Sequence, residues 1–198
     1  MNALFLTFWG KNYTNNFLEI FLPCLNENLK IIKKNKKNYS LEIWTTIKDQ
    51  NYIKKHKLFK SVKKKIQCNF RNIDFILKQG KQDKLSKYEI HEAISYIFKT
   101  SQCFKYEYLW FFYPEQFFSQ NFILNISFKT KQKKADLILL PSLNCSQKNI
   151  YKLIKKKNYF YRNIKSIYLK YLDKSEEYLN INNVENYQYL KVTDYFKN

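Results

Sequence analysis

Glycine is scarce in this chain, because Gly10 and Gly80 are the two glycines among its 198 residues. A dinucleotide fingerprint of the form Gly-x-Gly-x-x-Gly and a phosphate-binding P-loop both need several glycines within a short stretch. Neither motif can be built here, which excludes dinucleotide dehydrogenases that use the fingerprint and P-loop nucleotide triphosphatases. Any phosphate that binds must be held in another way.

Long apolar runs are also missing, since lysine, asparagine or glutamate interrupts every hydrophobic stretch well before the roughly 18 residues of a membrane span. Residues Met1 to Phe8 have no basic segment before their apolar part and no small-residue cleavage site after it, so they do not resemble a signal peptide. We therefore expect a soluble, cytoplasmic protein.

The cysteines are few and widely spaced. Cys24, Cys68, Cys103 and Cys145 lie about forty residues apart and form no Cys-x-x-Cys pair. Disulfide frameworks of small domains and zinc sites use closely spaced cysteines. The spacing favours four free, buried thiols.

Positive charge, by contrast, is abundant, and the net charge at pH 7 is +20. Arginine, which binds phosphate in bidentate fashion, contributes only Arg71 and Arg162. Residues with A- and T-rich codons dominate, so the base composition of the gene explains the lysines better than a nucleic-acid partner does. The charge is thus weak support for nucleic acid, while it permits attraction to nucleotides, anionic glycans and the surface of a membrane.

Strand and helix patterns alternate along the chain. Short apolar runs that end at turn residues predict strands at residues 3–8, 40–46, 66–73, 106–113 and 135–140. Helical spacing between them predicts an α/β fold with a Rossmann-like, mostly parallel sheet and flanking helices. We expect one α/β domain over residues 1–145, followed by a helical extension rich in Lys, Tyr and Asn at 146–198 that is not a separate domain.

Four local signals mark helix boundaries. Pro23 is expected to bend or end the first helix, and Asp49 to cap the second. Residues 80–85 are expected to form a loop. Ser86 and Glu89 have the spacing of a capping box, in which each side chain binds the other residue's backbone amide, so a helix should follow them.

Polar loops follow four of the predicted strands. Ligands bind at the carboxyl ends of the strands in open parallel sheets, so these loops are candidate site residues. They comprise Trp9-Gly10-Lys11, Thr45-Thr46-Ile47-Lys48-Asp49, Asn72-Ile73-Asp74, and Pro114-Glu115-Gln116 with Ser119. Their hydroxyls and amides suit a polar ligand, their lysines a phosphate, and their carboxylates a metal ion or a sugar hydroxyl. The alternative for each is a plain role as a turn residue.

The two histidines, His56 and His91, have no serine or cysteine partner in a recognisable nucleophile motif. We therefore expect His56 to lie on a lysine-rich helix surface and His91 to lie beside the buried stripe of its helix. The pairs Glu89/Glu92 and Glu176/Glu177 are expected to be solvated helix charges, because no matching motif supports chemistry with two carboxylates.

The opening stretch Phe8-Trp9-Gly10-Lys11-Asn12-Tyr13, with Leu22-Pro23-Cys24-Leu25 and Asn28-Leu29 after it, resembles a family of bacterial glycosyltransferase-like proteins. Members of that family begin with a strand ending in Trp-Gly, and a helix then runs into Leu-Pro-Ser-Leu and Asn-Leu. Further similar stretches lie at Leu41-Glu42-Ile43-Trp44-Thr45-Thr46, at Phe112-Tyr113-Pro114-Glu115 with Ser119, and at residues 137–143. The resemblance covers residues 3–145.

The resemblance implies a fold of the nucleotide-diphospho-sugar transferase type and the transfer of a sugar from a nucleotide-sugar donor to a glycan precursor. Taken together with the strand-end loops, it assigns donor binding to Trp9, Gly10, Lys11, Thr45, Thr46, Asp74 and Ser119. It also implies that Glu115 holds Mn²⁺ or Mg²⁺ near the donor diphosphate. The chain departs from the family in having no Asp-x-Asp motif and in having Glu115 where an Asp is expected.

Two other functions remain open at this point. One is a basic RNA-binding or ribosome-associated protein of an A+T-rich genome or organelle, because lysine clusters alternate with aromatic residues. The other is a truncated or decayed copy of the transferase that folds but does not catalyse.

Overall fold

The computed structural model describes residues 1–32, 38–102, 106–118, 121–133, 137–139 and 188–190. The chain divides into two compact units, residues 1–117 and 118–198. No helix within the described ranges is long and apolar enough to cross a membrane. The expected boundary at residue 145, between the α/β domain and its C-terminal extension, stays a prediction.

The first unit is built on a four-stranded sheet whose strands are all parallel. The strands are β1 (Asn2–Thr7), β2 (Tyr39–Thr45), β3 (Gln67–Asn72) and β4 (Tyr108–Phe112), and their order across the sheet is β3-β2-β1-β4. Asn2 of β1 is in register with Tyr39 of β2 and with Tyr108 of β4. The predicted α/β fold class with a parallel, Rossmann-like sheet is confirmed.

Helices join the strands and cover both faces of the sheet. Their bounds are α1 (Lys11–Asn16), a π-helical turn (Phe17–Phe21), α2 (Leu22–Ile31), α3 (Ile47–Lys55), α4 (Lys57–Lys63), α5 (Asp74–Gln82) and α6 (Lys87–Gln102). Because α5 and α6 lie between β3 and β4, they carry the chain back past β2 and β1 to the other edge of the sheet.

The two faces of the sheet have different aromatic cores. On the face covered by α5 and α6, Phe5 stacks on Phe98 with ring centres 4.0 Å apart, and Trp44 meets both rings edge-on. On the opposite face, Phe8 of the β1 end stacks on Phe17 at 5.1 Å. Burial on both faces explains the continuous apolar run at residues 3–6 of β1.

The helix boundaries differ from expectation at three positions. Pro23 does not end its helix, because the π-helical turn before it brings the chain into the first turn of α2, where the missing proline N–H is tolerated. Thr46, rather than Asp49, is the N-cap of α3, because its hydroxyl accepts the Asp49 amide at 3.1 Å. Residues 80–82 of the expected loop are helical, as part of α5.

Gly80 has a packing role inside α5. A Cβ at this position would lie 2.8 Å from the side chain of Ile90 on α6, so the absence of a side chain lets the two helices approach closely. The capping box before α6 is formed as expected: Ser86 Oγ accepts the Glu89 amide at 3.3 Å, and Glu89 Oε2 accepts the Ser86 amide at 2.6 Å.

The second unit contains helix α7 (Phe122–Lys133) and a two-stranded sheet of β5 (Leu137–Leu139) and β6 (Gln188–Leu190). The strands β5 and β6 are antiparallel. β5 lies within the strand expected at 135–140, but its described partner is β6 rather than the parallel sheet. The rest of the expected C-terminal extension lies outside the described residues.

Candidate functional site

The strand order identifies one end of the sheet as the place for a ligand. From β1 the chain moves outward through β2 and β3 on one side, and it then crosses to β4 on the other side of β1. The strand order therefore reverses between β1 and β4, and in α/β proteins the carboxyl ends of the strands at such a reversal border a ligand crevice. We call this place the switch edge and define it as residues 8–11, 113–116 and the first turns of α6, residues 86–91.

A carboxylate from the first turn of α3 fixes the backbone at the switch edge. The Gly10 amide donates to Asp49 Oδ2 at 2.9 Å, and the Thr46 hydroxyl donates to the same oxygen at 2.7 Å. Gly10 has φ 86° and ψ 159°, a conformation that is essentially restricted to glycine. Asp49 thus holds Trp9 and the start of α1 in place, and its buried carboxylate is committed to structure.

The first turns of α6 bring a lysine and a histidine to Trp9. The Trp9 and His91 rings lie 4.4 Å apart at a tilt of 34°. Lys87 Nζ lies 4.1 Å from the centre of the Tyr13 ring and 6.0 Å from that of Trp9, and it donates to the Tyr13 hydroxyl. We call Trp9, Tyr13, Lys87 and His91 the aromatic-lysine cluster. It combines flat apolar surface with one positive charge at a helix N-terminus.

Two exposed tyrosines extend this surface towards β4. Tyr88 on α6 and Tyr113 after β4 are 72% and 68% exposed. The pKa of Tyr88 is raised, mainly by its hydrogen bond to Glu92, and Tyr113 is close enough to contribute to the same shift. Exposed aromatic side chains of this kind are suited to stacking against a ring of a ligand.

The loop that contains Glu115 begins with a tight turn. The Gln116 amide donates to the Tyr113 carbonyl at 3.0 Å, and the Gln116 side-chain oxygen accepts the Tyr113 amide at 3.1 Å. Glu115 is exposed, whereas Pro114 is buried. The turn therefore presents the Glu115 carboxylate to solvent at the carboxyl end of β4.

The structure does not bring all of the sequence candidates to this edge. Thr45 is fully buried, and its carbonyl accepts the Gln50 side-chain amide at 3.2 Å. Thr46 caps α3, and Asp74 accepts the Ile47 amide at 3.1 Å, so both have structural partners. Lys11 is exposed at the start of α1, and Ser119 lies outside the described residues. Donor binding by this set stays a prediction.

Sequence reasoning missed the contribution of α6. Lys87 and Tyr88 follow Ser86 in the capping box, and that box was the available signal for a helix start there. The sequence alone could not place this start beside Trp9, because the crossover to β4 determines its position. His91 was expected to be structural, and it is half-buried against the Trp9 ring.

The described residues include no group of three or more His, Cys, Asp or Glu side chains that could hold a metal ion together. Of the described cysteines, Cys68 has a pKa raised by burial to about 12, so its thiol stays protonated at neutral pH. Mg²⁺ is commonly bound by one or two carboxylates together with substrate phosphates. A single carboxylate such as Glu115 fits a divalent ion of that kind, shared with a bound diphosphate.

We predict that His91 makes stability depend on pH. Burial, and secondarily the charge of Lys87, lower the pKa of His91 below its ordinary value of 6.5. As the pH falls through about 6.5, the unfolded chain takes up a proton that the folded chain resists, so the free energy of unfolding decreases. In His91→Gln this contribution is lost. Urea unfolding between about pH 5 and pH 8 checks the prediction, and equal pH dependence in both proteins would contradict it.

A scan against protein-family models, a search of curated proteins and a search of solved structures each gave no significant match. The features of this chain that bear on its function are the geometry of the switch edge and the sequence motifs.

Proposed function

We propose that this protein is glycosyltransferase-like and binds a nucleotide-sugar donor at the switch edge. The observation that carries the proposal is the position of the aromatic-lysine cluster beside the strand-order reversal of a parallel sheet. Open α/β sheets place their ligands at that reversal. The proposed reaction, transfer of the sugar to a glycan precursor, rests on the resemblance of the Trp9-Gly10 opening to glycosyltransferase-like proteins.

Each part of such a donor has a suitable group at this edge. A nucleobase or sugar ring can stack on exposed aromatic surface, which Tyr88 and Tyr113 supply. A diphosphate can bind near Lys87, where the N-terminus of the 16-residue helix α6 adds partial positive charge. The Gly10 amide is already bound to Asp49, so the lysine rather than a glycine-rich loop would carry the phosphate contact.

A divalent cation is part of the proposal. Glu115 would supply one oxygen ligand, and the donor diphosphate and water would supply the others, as is usual for Mg²⁺. When bound, Mn²⁺ or Mg²⁺ would neutralise charge on the diphosphate leaving group. We therefore expect donor affinity to increase on addition of Mn²⁺, and this increase should be smaller in Glu115→Ala.

The test is calorimetric titration of the full chain with UDP-glucose, UDP-N-acetylglucosamine and GDP-mannose, with and without Mn²⁺. Lys87→Gln should weaken binding of the best donor about tenfold or more, because a hydrogen bond to a charged group is lost. Tyr113→Ala should weaken it to a similar extent by removing stacking, worth about 1–3 kcal/mol.

The chain offers matched controls for both variants. Lys78 is an exposed lysine on α5, and Tyr96 is as exposed as Tyr113, at 68%. Lys78→Gln and Tyr96→Ala should leave donor affinity unchanged. No heat with any of the three donors would overturn the proposal, as would an equal loss in the variants and their controls.

A further inference from the structure

The α3–α4 segment is the most basic described stretch of the chain. Residues 47–65 contain eight lysines and one acidic residue, Asp49. Asp49 is 8% exposed, and its carboxylate accepts hydrogen bonds from Gly10 and Thr46. The exposed side chains of this segment therefore include lysines and no acidic residue.

Not all eight lysines point away from the protein. Lys54 lies over the Phe70 ring at 5.0 Å, and Lys65 donates to the Asn26 side chain at 2.6 Å. Lys63 lies close enough to Cys68 to affect the pKa of that thiol. The remaining lysines are exposed on the side opposite the buried Ile53, Phe59 and Val62, and we call them the basic face: Lys48, Lys55, Lys57, Lys60 and Lys64.

Within the described part of the chain, the five lysines of the basic face have no acidic partner. Among the residues that the structure describes, no carboxylate oxygen lies within 4.0 Å of any of these five lysines. Two exposed apolar side chains lie among them, because Ile47 is 52% exposed and Tyr52 is 57% exposed. On α3, Lys48, Tyr52 and Lys55 follow each other at helical spacing and form one stripe.

We propose that the basic face docks on an anionic lipid surface. A membrane surface attracts clustered lysines as point charges and needs no bidentate geometry, and it accepts apolar side chains at the boundary of its headgroups. A nucleic-acid surface is favoured less, since phosphate recognition is typically enriched in arginine and the basic face contains none. This inference does not depend on the proposed donor site, because none of the five lysines belongs to the switch edge.

Co-sedimentation of the full chain with vesicles tests the proposal. We expect binding to vesicles of equimolar phosphatidylcholine and phosphatidylglycerol, and none to vesicles of phosphatidylcholine alone. Binding should weaken steeply as salt is added. The variant K55Q/K57Q/K60Q should bind on the order of a hundredfold more weakly, since each lysine near an anionic surface changes the affinity about fivefold.

The matched control removes the same charge elsewhere. K78Q/K81Q/K84Q neutralises three exposed lysines at α5 and the turn after it, and it should retain wild-type vesicle binding. Equal loss in both triple variants would show that only net charge matters and would overturn the proposal, as would absence of binding to the anionic vesicles. Displacement of the protein from vesicles by low concentrations of single-stranded RNA would assign the basic face to RNA instead. Circular dichroism of each variant confirms folding.

Discussion

Glu42→Ala is expected to lower the free energy of unfolding by about 2–4 kcal/mol. Glu42 lies in the centre of β2 with no exposed surface. Its Oε1 atom accepts from the Asn69 side chain at 2.5 Å and from the Tyr106 hydroxyl at 2.7 Å. The alanine variant leaves both donors without their acceptor and adds a cavity at the position of the removed side chain.

Tyr106 gives this interaction a spectroscopic signature. Burial, and secondarily the hydrogen bond to Glu42, raise the pKa of Tyr106 to about 12, so the phenol remains the donor at neutral pH. In Glu42→Ala the part of this shift that comes from Glu42 disappears. An ultraviolet pH titration should then show one tyrosine that ionises at lower pH than in the wild type.

Two further variants separate the hydrogen bonds from other effects. Glu42→Gln keeps a carbonyl oxygen in the position of the acceptor, so it should cost no more than about 1 kcal/mol. Glu107 is exposed just before β4, and Glu107→Ala should change stability by less than about 0.5 kcal/mol. Urea unfolding of the four proteins checks these values. A Glu42→Gln variant as unstable as Glu42→Ala would contradict the assignment.

The elements with local sequence signals were predictable, and those set by tertiary packing were not. The apolar run of β1 and the Ser86–Glu89 box act within a few residues, and both predictions were correct. Residues 80–82, the end of α5, were expected to form a loop. In the structure, the low helix propensity of glycine is offset by the close packing of the Ile90 side chain against Gly80.

The same distinction holds for the candidate site. Trp9 and the Tyr113 loop were predictable, because a carboxyl strand end can be recognised from an apolar run followed by a turn. The presence of Lys87 at the site was not predictable, because the position of this residue depends on the crossover from β3 that passes β2 and β1. The burial of Glu42 could not be predicted from the sequence either, because its two partners lie 27 and 64 residues away along the chain.

Asp49→Ala is expected to destabilise the protein by about 2–4 kcal/mol and to weaken binding of the proposed donor at the switch edge. One oxygen of Asp49 accepts from both Gly10 and Thr46, and these residues belong to the loops after two different strands. Without it the Gly10 amide loses a partner 39 residues away. Because Gly10 is held at φ 86°, the loop that carries Trp9 should then sample other conformations.

Hydrogen exchange at the Gly10 amide distinguishes this role from a general loss of stability. In Asp49→Ala, exchange at the Gly10 amide should accelerate by a larger factor than exchange at the amides of β1, because the variant removes the hydrogen bond of the Gly10 amide itself. Asp49→Asn keeps an oxygen in the same position and should cost about 1 kcal/mol. Asp83→Ala, at the exposed end of α5, should have no effect at Gly10. Equal acceleration at Gly10 and throughout β1 would mean that Asp49 supports the fold as a whole and not the loop that presents Trp9.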